Sequence, residues 1–164
     1  MEARNKRTTN PSYVMLFGEK ISIEIKSEML KPIAFENDRF LINQRYIQYS
    51  NLLVKRWLKR YAENYLTKRT KELSFQTGLK FNKVLVKEVK TRWGSCSSKG
   101  TISLNWLLIM APRKVIDYVI IHELAHTVHM NHSKKFWELV EKLFPEWKVC
   151  RYWLRKNGHT LNIK

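Results

Sequence analysis

The stretch Tyr118–Trp137, "YVIIHELAHTVHMNHSKKFW", constrains the fold more than any other part of the chain. It holds four of the five histidines, His122, His126, His129 and His132, and one acid, Glu123, set among apolar residues. Helical spacing puts His122 and His126 on one face, about 40° apart around the axis and about 6 Å apart along it. Two imidazoles so placed can share one metal ion. Glu123 lies about 100° round from His122, within reach of a water on that ion without ligating the ion itself. A buried glutamate beside two buried histidines is costly unless a cation compensates it.

Geometry also selects a third ligand. His129 would sit about 10.5 Å along the axis from His122, too far for an ion that lies about 2.0–2.1 Å from each nitrogen. His132 follows Asn131, a residue that tolerates the left-handed conformation at a helix end. A chain that turns there can bring His132 back over the first pair. The expected metal ligands are therefore His122, His126 and His132, with Glu123 as the catalytic base and His129 on the rim. Three histidines leave a fourth position open for water, as a catalytic site needs. The competing readings are a hydrogen-bonded set of core histidines and a non-catalytic metal site; the placement of Glu123 weighs against both.

The surrounding pattern is α+β. Residues 1–12 are polar and read as a flexible arm. "YVMLFGEKISIEIK" (Tyr13–Lys26) and "IAFENDRFLIN" (Ile33–Asn43) read as β-hairpins turning at Gly18-Glu19 and at "END". Over 43–77, Leu53, Trp57, Tyr61 and Tyr65 recur every four residues, the mark of a long amphipathic helix that faces this stripe inward. A strand from Lys83 to Trp93, a turn "GSCSSKG" and a strand through Ile102, Leu104 and Trp106 form a further hairpin. Pro112 opens the histidine helix, expected to run to His129 or Met130. Ser133 caps "KKFWELVEKLF", Pro145 breaks it, and "EWKVCRYWLRKN" ends before Gly158. One domain over 1–164 is expected, with hairpins at 13–42, the long helix at 43–77 and a catalytic core at 83–164.

The motifs "RWGSCSSKGTISLNW", "IDYVIIHELAHTVHMNHSKKFW" and Trp153-Leu154 together resemble the YgjP-like metallopeptidase domain family, from about Val84 to Leu154. A histidine five residues after HExxH is similar also to the WLM and SprT-like proteases, which act on DNA-bound proteins. The resemblance implies a zincin-like fold, with a small antiparallel sheet packed on the HExxH helix, and the third ligand on His132. It implies one Zn2+ per chain and hydrolysis of peptide bonds by Glu-assisted attack of zinc-bound water. In such a fold a strand beside the helix can pair with extended substrate; here that strand would be Trp93, Gly94, Ser95 and Cys96, unless this is simply a tight hairpin. Tyr152 and His159 are candidates for a further oxyanion donor.

Composition bounds the partners. The net charge is +17, from 31 Lys+Arg against 14 Asp+Glu, dense in "KRWLKRYAENYLTKRTK" (Lys55–Lys71). Such charge suits either a well-solvated surface or a polyanion partner. Two further readings follow: a DNA-associated protease acting on nucleic-acid-bound proteins, and a non-catalytic metal- or nucleic-acid-binding module. No apolar run reaches the roughly 18 residues of a membrane span. No secretory h-region follows the first charges, so a cytoplasmic protein acting on peptide or protein is expected. Cys96 and Cys150 form no CxxC pair and are expected as free thiols.

Overall fold

The computed structural model describes residues 12–163; the expected N-terminal arm lies almost wholly outside them. These residues divide into two compact units, one built on Lys20–Arg56 with residues 12–14, the other on Met15–Glu19 and Trp57–Asn162.

The chain runs through β1 (Tyr13–Leu16), β2 (Glu19–Lys26), β3 (Ile33–Glu36) and β4 (Arg39–Asn43). Two hairpins are present, the first turning one residue earlier than the expected Gly18-Glu19. Phe17 and Gly18 (φ +51° and +84°) make the first turn, and Asn37 and Asp38 (φ +49° and +56°) the second, the two-residue geometry that matches strand twist. The sheet order is β1-β2-β4-β3. β4 pairs antiparallel with β3 but parallel with β2, so the sheet is mixed rather than antiparallel. The reason is burial. Phe40 and Ile42 of β4 are fully buried, whereas β3 is only half-buried, so the second hairpin docks by its returning, more apolar strand. Asn43 then anchors the chain: its amide donates to the Met29 carbonyl at 2.9 Å and its oxygen accepts from the Arg45 N–H at 3.0 Å.

After a 3₁₀ segment (Gln44–Tyr49) comes α1 (Ser50–Thr77). The line it buries is Val54, Leu58, Ala62, Leu66, Thr70 and Leu73, one residue round from the expected aromatic stripe. Aliphatic and small side chains permit the closest approach of a helix to its neighbours. The aromatics flank that line half-buried, with Trp57 stacked on Tyr61 at 4.9 Å between centroids and Phe17 edge-on to Tyr65 at 4.8 Å.

The second unit holds β5 (Lys83–Lys87), β6 (Gly94–Cys96) and β7 (Thr101–Asn105), in the order β5-β7-β6. This sheet is also mixed: β7 runs parallel to β5 and antiparallel to β6. The logic of the first sheet recurs, since Ile102 and Leu104 of β7 are fully buried and take the centre. The strand expected to reach Trp93 stops at Lys87, and the first three residues of the expected turn form the strand β6. Asn105 organises the intervening link. Its N–H donates to the Trp93 carbonyl at 2.8 Å and its side chain donates to the Val89 and Arg92 carbonyls at 2.7 and 3.3 Å.

A 3₁₀ turn (Trp106–Met110) leads into α2 (Arg113–Ala125), followed by α3 (Lys134–Leu143) and α4 (Trp147–Asn157). α2 is buried on nearly every side, through Val115, Ile116, Val119, Ile120, Ile121 and Leu124, and touches α3, α4, β6 and β7. A helix apolar all round is a core helix. Arg69 of α1 clamps it through a bidentate pair with Asp117, at 2.8 and 2.9 Å. No helix among the described residues is long and apolar enough to cross a membrane.

Candidate metal centre

α2 ends at Ala125, a turn earlier than its apolar pattern suggests. Thr127 is the cause. Its hydroxyl and its N–H both bond the Leu124 carbonyl, at 2.6 and 3.0 Å, and the next N–H groups tighten onto Ala125, a competition that Thr side chains impose on helices. His126 thus becomes the residue that closes the helix. The chain then turns over the helix end and re-enters α3, where Ser133 Oγ accepts from the Phe136 N–H at 3.3 Å.

This loop carries His132 back onto α2. Its Nε2 lies 3.1 Å from His122 Nε2 and 3.1 Å from His126 Nε2. The three histidines each offer a ring nitrogen within 4.8 Å of the others. Nitrogens about 2.0–2.1 Å from one tetrahedral ion stand about 3.3–3.4 Å apart, so the observed spacing is close to that of a ligand set. The protonation pattern agrees. His126 Nδ1 lies 2.9 Å from the His129 carbonyl oxygen. A carbonyl only accepts, so Nδ1 carries the proton and Nε2 turns its lone pair to the cluster. Three converging imidazole nitrogens can share protons only through one donor split between two acceptors, whereas one divalent cation takes all three lone pairs.

Aromatic packing holds the rings in place. Phe136 is fully buried and stacks on His126, 4.4 Å between centroids and 20° between planes. Trp137 lies nearly parallel to His132 at 5.7 Å. Tyr118, one turn before His122, brings its hydroxyl to 3.4 Å from His122 Nδ1. Burial, with the neighbouring His126, His132 and Arg151, lowers the His122 pKa to about 3; burial, His126 and Arg151 also lower that of His132. Both shifts favour the neutral ligand form.

Glu123 is 6% exposed. Burial raises its pKa to about 7, against the opposing pull of the Arg92 charge. It opens with His122 onto a cleft of about 370 Å³ whose walls include Trp93, Gly94, Tyr118 and Leu154. Gly94, the first residue of β6, packs against it so closely that a Cβ there would lie 2.9 Å from Glu123 Cγ and Oε1.

The structure therefore brings together His122, Glu123, His126 and His132 from one stretch, and Trp93 and Gly94 from another. Ser95 and Cys96 continue along β6, at the edge of its sheet. Cys96 and Cys150 are free thiols; burial raises the pKa of Cys96, with the Glu123 charge adding to it, so it is no activated nucleophile. Tyr152 and His159 do not line the cleft that holds Glu123. His129 contributes its main-chain carbonyl rather than its ring. Tyr118 was legible from its helical spacing to His122; Arg92, Arg151 and Asn105 carried no sequence signal.

Chemistry of this kind belongs to metal-dependent peptidases, and the chain is a metallopeptidase-type hydrolase. It belongs to the YgjP-like metallopeptidase domain family, whose model matches residues 1–157. That match extends through the N-terminal hairpins and α1, beyond the segment bearing recognisable motifs. Among solved structures, the chain is similar to the metallopeptidase zymogen abylysin of Pyrococcus abyssi, at 28% identity and a TM-score of 0.48, over 55% of this chain and 93% of that one. It is similar also to the metallopeptidase zymogen jannalysin of Methanocaldococcus jannaschii, at 20% identity and a TM-score of 0.49, over 56% and 94%. No curated protein matches it.

Proposed function

We propose that the chain is a zinc peptidase with a zincin-like catalytic core, in which His122, His126 and His132 hold the ion and Glu123 is the general base. The observation that carries this reading is the convergence of three Nε2 atoms on one another, with His122 opening beside the buried Glu123 carboxyl onto one cleft. A zinc ion held by His122, His126 and His132 would supply Lewis-acid chemistry, polarising a carbonyl and acidifying a bound water.

The chain's own residues do the rest. The His129 carbonyl fixes the tautomer of His126, and Phe136 and Trp137 fix the ring planes of His126 and His132. Glu123, held near neutral pKa by burial, accepts a proton from the water that attacks the scissile carbonyl carbon. It then returns that proton to the leaving amine as the C–N bond breaks. Trp93, Gly94, Ser95 and Cys96 offer the open edge of β6 to an extended substrate backbone. The absence of a side chain at Gly94 lets that strand lie against Glu123.

The test compares wild type with Glu123→Gln on a casein-type substrate. The expected outcome is unchanged zinc stoichiometry with activity lower by roughly 10²–10⁴-fold. Hydrolysis that survives the substitution removes Glu123 from the mechanism. The charge of +17 supports one second reading, a protease that works on nucleic-acid-bound proteins. DNA-stimulated, salt-sensitive cleavage would support it, and indifference to DNA would count against it.

A further inference from the structure

The cleft beside the candidate metal centre has a marked charge bias. Three arginines line it: Arg92 from the link before β6, and Arg151 and Arg155 one turn apart on α4. Glu123 is the one carboxylate on its walls. None of the three arginines is paired with a carboxylate among the described residues, although Arg69 and Lys114 find theirs. Arg151 is held over the Trp137 ring, 5.1 Å from its centroid, and Trp137 in turn lies against His132. That stacking fixes a guanidinium beside the metal centre without neutralising it.

We infer that this cleft selects peptides with an acidic side chain next to the scissile bond, bound by the arginines that line it, Arg92, Arg151 and Arg155. The inference rests on the peptidase reading and adds a substrate class to it. The same cleft is lined by His122, Glu123 and the three arginines, so a ligand reaching the arginines is the part of the substrate flanking the bond under attack. The planar forks of Arg151 and Arg155 suit a carboxylate, which they can meet with paired charge-assisted hydrogen bonds.

The test measures kcat/KM on matched peptides of one backbone, with Glu, Gln or Lys at each of the two positions on either side of the cleaved bond. At one of these positions the expected order is Glu, Gln, Lys, with Glu favoured over Gln by roughly five- to tenfold and the margin shrinking as salt rises. Arg151→Gln/Arg155→Gln should erase that margin, and Arg155→Glu should move the preference toward Lys. The exchange of preference guards against misreading a folding defect, since a damaged protein loses all three peptides alike. Equal rates on the three peptides, or a preference untouched by the arginine substitutions, would overturn the inference while leaving the peptidase reading standing. No cleavage of any peptide by zinc-loaded wild type would defeat the peptidase reading itself. If a short single-stranded oligonucleotide competes for the cleft through Arg151 and Arg155 while acidic peptides gain nothing, the cleft is a phosphate site and the inference fails.

Discussion

Gly94 and Glu123 are packed to the point where no larger residue fits between them: a Cβ on Gly94 would stand 2.9 Å from both Cγ and Oε1 of Glu123. The φ of Gly94 is not positive, so its backbone would accept alanine. The constraint is purely the nearness of the carboxyl. Gly94→Ala should therefore push either β6 or Glu123 aside and leave the histidines alone. The expected result is full metal content with kcat lower by roughly ten- to a hundredfold, the cost of misplacing a reacting group by about an ångström. Metal analysis beside steady-state kinetics checks it; an alanine variant with wild-type kcat would show that the close approach is idle.

His129 and His132 should separate cleanly. His132→Ala removes a ring nitrogen that stands 3.1 Å from two others, and zinc content measured after dialysis should fall to a small fraction of one ion per chain. His129→Ala keeps the main-chain carbonyl that orients His126, so its metal content should stay near one. The reverse pattern would overturn the ligand set.

The difference between these two residues shows what the sequence could reveal. HExxH and a chain break before His132 are spacing arguments, and spacing is local, so the clustering of His122, His126 and His132 was legible. The place of the break was not. Thr127 ends α2 at Ala125 by a hydroxyl-to-carbonyl bond, a competition the apolar periodicity does not record. Strand direction was illegible for a related reason. Both sheets became mixed because the more apolar strand of a hairpin, with Phe40 and Ile42 or Ile102 and Leu104, took the centre, and only tertiary packing decides which neighbour it meets. Gly94 read as a turn glycine because nothing near it in sequence announces Glu123.

The Arg69–Asp117 pair predicts a stability effect without a catalytic one. Both side chains are largely shielded, at 26% and 19% exposure, and the pair is bidentate, so it escapes most of the screening that weakens surface ion pairs. Its hydrogen bonds raise the Arg69 pKa further above its usual value. Asp117→Asn keeps the shape, loses the charge and leaves one guanidinium nitrogen poorly matched. The expected loss is about 2 kcal/mol of unfolding free energy, read as a lower urea midpoint at unchanged slope. kcat of the folded variant should be unaltered.

Removing the metal exposes two opposed titrations. In the metal-free protein the folded-state pKa of His122 is lowered from 6.5 to about 3. The unfolded chain therefore binds more protons between those values, and stability falls as pH drops below 6.5. Glu123 runs the other way. Its folded-state pKa is raised from 4.5 to about 7, so its contribution is full below 4.5 and is lost as pH rises through 7. From pH 6.5 down to 4.5 the Glu123 slope offsets only part of the decline set by His122 and by His132, whose pKa is also lowered, so the chelated protein should lose stability gently there. Below 4.5 the Glu123 contribution is complete, the histidine slopes act alone, and stability should drop more steeply. Urea unfolding in excess chelator across pH 4 to 8 reads this directly. Glu123→Gln should remove that offset and steepen the decline between pH 6.5 and 4.5, whereas a wild type that declines there as steeply as the variant would mean that the Glu123 carboxyl is not held in its neutral form by burial.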